Sequence, residues 1–310
     1  MSPIASGSAV STPKVDPDAP LIAYQTNRGG SEGVWLIQTD GAGDVKLETG
    51  TPGEALLPDW SHDGRRIVFT SRGGPKEPLF AYDLKSKTST QLFACDDPCG
   101  GDDEPAFSPD DSQVAFVRAL GPFVNDAPSD CGLWIGDVAT GKVRQVASQT
   151  GCDPRVTQPR WSPDGTRLTY WTERYDAAGA ITGTAVFVIG ADGGGKKRLT
   201  DWEDFTGDPD WSPDGKWIVF DTHPLRNFQC CQVSNLERIH PDGTGRERLT
   251  NFADETTRAT QPRYTPDGTQ IVFTLVTTNR VLALMPAEGG DFTKVSTSGI
   301  YTHGTMQPKP

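Results

Sequence analysis

Short runs of apolar residues, alternating with polar ones, recur along the chain, and turn-forming residues separate them. Leu21-Ile22-Ala23-Tyr24, Ile67-Val68-Phe69, Leu168-Thr169-Tyr170 and Ile218-Val219-Phe220 are rich in β-branched and aromatic side chains, the signature of strands. A common stretch stands before these runs. It reads Trp60-Ser61-His62-Asp63-Gly64, Trp161-Ser162-Pro163-Asp164-Gly165 and Trp211-Ser212-Pro213-Asp214-Gly215. Looser copies are Phe107-Ser108-Pro109-Asp110-Asp111 and Tyr264-Thr265-Pro266-Asp267-Gly268, and Val15-Asp16-Pro17-Asp18 is an eroded sixth. The marker aspartates Asp18, Asp63, Asp110, Asp164, Asp214 and Asp267 are spaced by 45, 47, 54, 50 and 53 residues. A period of that length is one supersecondary unit repeated.

Each unit predicts four strands. Strand A ends on Pro-x-Trp-Ser. Pro-Asp-Gly forms a tight A–B turn, because proline presets φ and glycine accepts a positive one. Strand B is the apolar run, and strand C alternates, as in Val34-Trp35-Leu36-Ile37, Leu133-Trp134-Ile135 and Ala185-Val186-Phe187-Val188. A second turn, for example Asp40-Gly41 or Asp242-Gly243, leads to strand D, as in Lys197-Arg198-Leu199-Thr200. Six such units predict an all-β fold, a six-bladed β-propeller of four-stranded antiparallel blades. The ring is expected over residues 15–310, after a flexible tail at 1–14. Strand A of the first blade has two candidates, Thr12-Pro13-Lys14-Val15 and Met306-Gln307-Pro308-Lys309. The second resembles Thr157-Gln158-Pro159-Arg160 and Thr260-Gln261-Pro262-Arg263, and closure from the far end leaves no open inner edge. Gln307 to Lys309 is the expected closing strand.

The series Pro-x-Trp-Ser-Pro-Asp-Gly, Ile-x-Phe, Asp-Gly, Arg-Leu-Thr resembles the PD40, or WD40-like, repeat of TolB-type propellers. The resemblance covers the chain from about Lys14 to Pro310. It implies the propeller fold, which five copies in one register specify, and does not specify a function. TolB proteins also carry an N-terminal α/β domain that docks partners, and roles that depend on that domain do not transfer to the propeller alone.

Composition narrows the function further. The formal charge of −12 and pI near 4.8 exclude a phosphate-neutralising surface, so nucleic acid is not an expected partner, and anionic lipid is equally disfavoured. No apolar run reaches the length of a membrane span. Residues 1–19 lack the hydrophobic segment of a signal peptide, and their Ser/Ala/Pro/Thr content resembles the spacer after a removed signal or lipid anchor. All six cysteines fall in or beside the B–C and D–A loops. Their even number predicts disulfides and a periplasmic or extracellular location. The economical pairing is Cys95–Cys99, Cys131–Cys152 and vicinal Cys230–Cys231, with a zinc site as the rival for Cys95 and Cys99.

Loop length places the candidate binding face. The A–B and C–D turns are uniformly short, whereas the B–C and D–A loops vary, as at Leu120 to Gly132, Tyr175 to Thr184 and Pro224 to Asn235. Variable loops on a rigid scaffold are where binding concentrates. The D–A loops hold Asp96, Asp97, Asp102, Asp103 and Glu104, then Asp201, Glu203, Asp204 and Asp208, then Asp254 and Glu255. Oxygen-rich loops of this kind make Ca²⁺ a candidate cofactor. The residue after each strand-A proline gives Lys309, Asp59, Ala106, Arg160, Asp210 and Arg263, which read either as inter-blade ion pairs or as a charged funnel. Gln158, Gln261 and Gln307 add amides beside it, and Glu54 and His303 complete the candidate set. No Gly-x-Ser-x-Gly, His-Glu-x-x-His or phosphate loop is present, and a His303 acid/base pair with Glu54 or Glu104 is the candidate catalytic arrangement. The expectation is an exported, monomeric binding module for a protein segment or glycan over the loop face and funnel. The alternatives are a lyase- or hydrolase-type enzyme on a carbohydrate or small polar metabolite, and a scaffolding subunit of a cell-envelope complex.

Overall fold

The computed structural model describes residues 19–28, 30–74, 76–124, 127–150, 156–222, 233–253, 256–296 and 302–308. Blade one contains β1 (Leu21–Thr26), β2 (Gly33–Gln38) and β3 (Val45–Lys46); blade two contains β4 (Glu54–Trp60), β5 (Arg66–Arg72), β6 (Leu79–Asp83) and β7 (Thr88–Gln91). Blade three contains β8 (Cys99–Phe107), β9 (Gln113–Val124), β10 (Ala127–Asp137) and β11 (Val143–Thr150); blade four contains β12 (Val156–Trp161), β13 (Arg167–Tyr175), β14 (Ile181–Gly190) and β15 (Lys197–Arg198). Blade five contains β16 (Thr206–Trp211), β17 (Ile218–Thr222), β18 (Asn235–Ile239) and β19 (Glu247–Arg248). Blade six contains β20 (Arg258–Tyr264), β21 (Gln270–Val276), β22 (Arg280–Pro286) and β23 (Thr293–Lys294). The last strand, β24 (Thr302–Met306), pairs antiparallel with β1 and supplies the missing inner strand of blade one. The molecule is a six-bladed β-propeller of four-stranded antiparallel blades, closed by its C-terminal segment.

The repeated aromatic is the wedge between blades. Trp60, Phe107, Trp161, Trp211 and Tyr264 end the inner strands of blades two to six and are all under 9% exposed. Each packs across a seam: Phe107 lies with Val68 and Leu79 of the blade before it and Phe116 of its own, and Trp211 with Val186, Val188 and Phe220. Ile22 and Tyr24 pack against Val272 and Leu282, which seals the last seam. The serine and aspartate of the motif hold the A–B turn. Ser162 donates to Asp164 at 2.5 Å and accepts the backbone N–H of Arg167 at 2.9 Å; Ser61, Ser108, Ser212 and Thr265 repeat the pattern. These hydrogen bonds hold the Asp164 and Asp214 carboxyls down at about 2. Gly64, Gly165, Gly215 and Gly268 close that turn with φ near +70°, which only glycine adopts freely.

Every inner strand carries the same bulge. Leu57, Glu104, Gln158, Asp208, Gln261 and His303 have φ between 50° and 57°, and the ladder between strands A and B shifts register there in each blade. Four of the freed N–H groups reach the preceding blade, while that of Glu104 turns to Asp103 beside it. Leu57 donates to Gln25, Gln158 to Glu104, Gln261 to Asp221 and His303 to Gln261.

The bulge corrects the expected register of the closing strand. His303, not Gln307, is the counterpart of Gln158 and Gln261, and Thr305, not Lys309, is the counterpart of Arg160. Gln307 instead donates to the Gly64 carbonyl in the neighbouring A–B turn. The Leu120–Gly132 stretch is also not a loop. β9 and β10 stay paired out to Val124 and Ala127, a ribbon that extends beyond the blade.

Candidate functional site

The bulge turns the next residue but one toward the propeller axis, so Asp59, Ala106, Arg160, Asp210, Arg263 and Thr305 line a cavity of 670 Å³. Its mouth is formed by the A–B turns: Pro109, Pro163, Pro213, Pro266 and Pro308, with His62 in the sixth place. Loop length had pointed to the opposite face; this cavity opens on the face of the short turns.

Its charged ring is not a set of ion pairs. Among the described residues, neither Asp59 nor Asp210 comes within ion-pair distance of Arg160 or Arg263. Asp59 accepts the backbone N–H of Phe107 at 3.1 Å and Asp210 that of Tyr264 at 2.8 Å, each across a blade seam. Arg160 donates to its own Pro159 carbonyl at 2.9 Å, and its Nε is buried without a partner. Arg263, 5% exposed, donates to the Pro262 and Pro209 carbonyls at 3.1 and 3.4 Å. Burial raises both carboxyls, against the opposing pull of the two arginines. Burial and then the Arg160 charge bring the Arg263 guanidinium down to about 10.

The bulge residues form a second ring, next to the first along each inner strand. Gln158 accepts from Trp171 Nε1 at 3.0 Å, and Glu104 holds the Gln158 N–H at 2.6 Å. Asp208 is 9% exposed. Gln261 Oε1 accepts from Thr274 Oγ1 at 3.0 Å and from the His303 N–H at 3.1 Å. That fixes the amide, so its NH₂ end faces His303 Nε2 at 2.9 Å and the imidazole proton sits on Nδ1. His303 Nδ1 is buried and unpartnered. Burial, followed by the charges of Arg263, Arg160, Arg280 and Arg72, holds the imidazole down at about 3, so it is neutral.

The remaining expected residues lie elsewhere. Glu54, at the start of β4, accepts the Glu32 N–H at 3.0 Å and borders a second groove between blades one and two. Asp103 accepts from Thr70 and Arg72, both at 2.9 Å. Neither Glu54 nor Glu104 is placed as the acid/base partner of His303, whose Nε2 is taken by Gln261. Asp102 and Asp103 are on β8 rather than in a loop. Asp102 forms a buried bidentate pair with Arg118 at 2.6 and 2.8 Å, and Arg118 also donates to the Ala94 carbonyl. In the next acidic loop, Asp201 pairs with Arg198, Glu203 with Arg174 and Asp204 with Arg246. Among the described residues no three His, Cys, Asp or Glu side chains gather as a metal site; of the carboxylates expected to hold Ca²⁺, Asp102, Asp103, Asp201, Glu203 and Asp204 face arginines and Asp97 faces Lys76. Asp254 and Glu255 lie outside the described residues, as does His223. Cys95 and Cys99 are joined in a disulfide. Cys131 is buried on β10, and Cys152, Cys230 and Cys231 lie outside the described residues, so the other two expected pairings do too.

Sequence reasoning passed over His62 and Asp111. Both are departures from the repeat, His62 where other copies have proline and Asp111 where they have glycine, and they meet at the cavity mouth. Asp111, held at φ 59°, accepts the N–H groups of His62 at 2.6 Å and Asp63 at 2.9 Å, with the His62 imidazole 3.5 Å away. Burial lowers the His62 pKa, but the hydrogen bond and charge of Asp111, the charge of Asp59 and the Ser108 backbone outweigh it, and the net shift is upward.

No helix among the described residues is long and apolar enough to cross a membrane. No protein-family model matches the chain. A 98-residue stretch, 32% of the chain, is 30% identical to the uncharacterized peptidase YuxL of Bacillus subtilis, of which it covers 14%. The structure of TolB from Acinetobacter baumannii superimposes with a TM-score of 0.70 over 94% of this chain and 67% of that one, at 20% identity. A putative TolB from Agrobacterium tumefaciens gives 0.63 over 92% and 91%, at 21% identity. At that identity the likeness is one of fold: the chain has the architecture of a TolB-like propeller, and binding and enzymatic roles share it.

Proposed function

We propose that the chain is an exported binding module that takes a protein segment into the axial cavity through the face of the A–B turns. The observation that carries the reading is the floor of that cavity. Two guanidinium groups and two carboxylates face the axis, each tethered to backbone by part of its hydrogen-bonding capacity and none neutralised by a neighbour. A polar site with capacity left over, inside a largely apolar enclosure, is the pattern of a ligand pocket. A protein segment fits better than a glycan. The five wedge aromatics reach the cavity but are packed in the seams, so no ring face is open for a sugar to stack upon. The Cys95–Cys99 disulfide supports an oxidising compartment.

The test is selection of peptides from a display library on the intact protein, followed by calorimetric titration of the winners. Asp59→Ala and Asp210→Ala should weaken binding at least tenfold while the fold is retained, and Lys142→Ala on the outer turns should not. Peptides that bind all three variants as they bind the parent protein would remove the cavity from consideration.

A further inference from the structure

We infer that the segment enters carboxyl end first, its terminal carboxylate seated between Arg160 and Arg263 with the Nδ1–H of His303 behind them. This rests on the reading of the cavity as a peptide site and names the group it recognises. Three separate donors lead to it. Arg160 has five N–H groups; one is used on its own proline carbonyl, and the buried Nε has no partner. Arg263 spends one nitrogen on two backbone carbonyls. His303 must carry its proton on Nδ1, because Gln261 is oriented by Thr274 and the His303 backbone, and that buried N–H is unmatched as well. Arg160 and Arg263 both line the cavity, and His303 stands on the closing strand two residues before Thr305, which lines it too. Buried donors without acceptors are costly, about 1–3 kcal/mol each, and a site that keeps them is built for an acceptor.

The choice of a carboxylate over a phosphate follows from the other half of the ring. Asp59 and Asp210 sit three blades apart, on opposite sides of the axis, and each uses one oxygen on a backbone N–H. Their second oxygens would repel a dianion. They match the amide N–H groups of a peptide, which lie one and two residues before its terminal carboxylate. A chain end thus offers one anion and a pair of donors from its own backbone to two cations and a pair of acceptors, whereas an internal segment brings an anion only where it carries an acidic side chain. Guanidinium groups suit the fork of a carboxylate.

The experiment uses library winners displayed with free carboxyl ends and then synthesised twice, as acid and as C-terminal amide. Calorimetry with the full chain should give at least tenfold weaker binding for the amide. Arg160→Gln and Arg263→Gln should bring binding of the acid down to that of the amide in the same variant; Arg160→Lys should retain part of the preference. Equal binding of acid and amide at a site still sensitive to Asp59→Ala overturns the carboxylate assignment while leaving the peptide site standing. If no displayed peptide binds, both fall. If inorganic phosphate or a uronic-acid oligosaccharide protects the protein as well as the peptide acid does, and through the same arginines, the site is a general oxyanion or acidic-sugar site and the assignment is wrong.

Discussion

His62 and Asp111 are the two places where the turn motif is broken, and the break costs something. Asp111 occupies a left-handed conformation that glycine takes in four sister turns, a penalty of roughly 1–2 kcal/mol for a residue with a Cβ. Its carboxylate offsets this by bonding two N–H groups of the next turn and the His62 ring. The His62 pKa is raised in the folded state, so the stabilisation is fully present below its ordinary value of about 6.5 and is lost as pH rises through the folded value. Melting temperature measured across pH 5 to 8 should therefore decline over the upper part of that window, and His62→Ala should flatten that decline. Thermal scans of the two proteins in matched buffers decide it. The wedge aromatics make a plainer case. Trp161→Ala or Phe107→Ala should destabilise by about 3–5 kcal/mol, the usual loss for a large ring in a packed core, read by denaturant titration. These rings were legible in the sequence because a buried aromatic at one fixed offset is hard to mimic. Asp102 was not, because nothing local marks its partner: Arg118 becomes its neighbour only through the β8–β9 register.

At the level of elements, the closing strand shows what a motif can hide. Met306-Gln307-Pro308 looks like Thr157-Gln158-Pro159, yet it takes the place of Trp161-Ser162-Pro163. Gly304 stands where the other blades have proline, so the Gln-Pro pair led the eye four residues too far. Closure by the C-terminal segment does not depend on that register, because it also follows from leaving no open inner edge. Deleting residues 302–310 should expose the edge of β1, remove the carbonyl of Thr305 that Trp60 Nε1 donates to, lower the melting temperature and promote association. Deleting residues 1–16 should change neither property. Scanning calorimetry and gel filtration of the two truncations test the contrast; a silent C-terminal deletion would sink it. The disulfide belongs to this scale too. It clasps the chain just before β8, beside Ala94, whose carbonyl Arg118 holds. Cys95→Ser with Cys99→Ser should cost about 2 kcal/mol, the loop-entropy figure for so short a span.

Around the ring, the bulges at Leu57, Gln158, Gln261 and His303 each pass a hydrogen bond to the blade before, so these blades are not satisfied by themselves. The propeller should melt in one transition, and Gln261→Leu, which removes the acceptor of His303 and the donor to its ring, should lower that transition without splitting it. Calorimetric and van't Hoff enthalpies that disagree would count against this. The axial position has a different freedom. The wedge beside it is Trp, Phe, Trp, Trp, Tyr and Met around the circle, nearly one chemical type, whereas the axial residue is Asp, Ala, Arg, Asp, Arg and Thr. Packing dictates the first series, whereas the second is tied to the ring only by the backbone hydrogen bonds of Asp59, Arg160, Asp210 and Arg263. The propeller is in this sense a six-letter word written on a standard page: the spelling can be changed one letter at a time, by duplication and drift or by design, and a new ligand read out while the page stays intact.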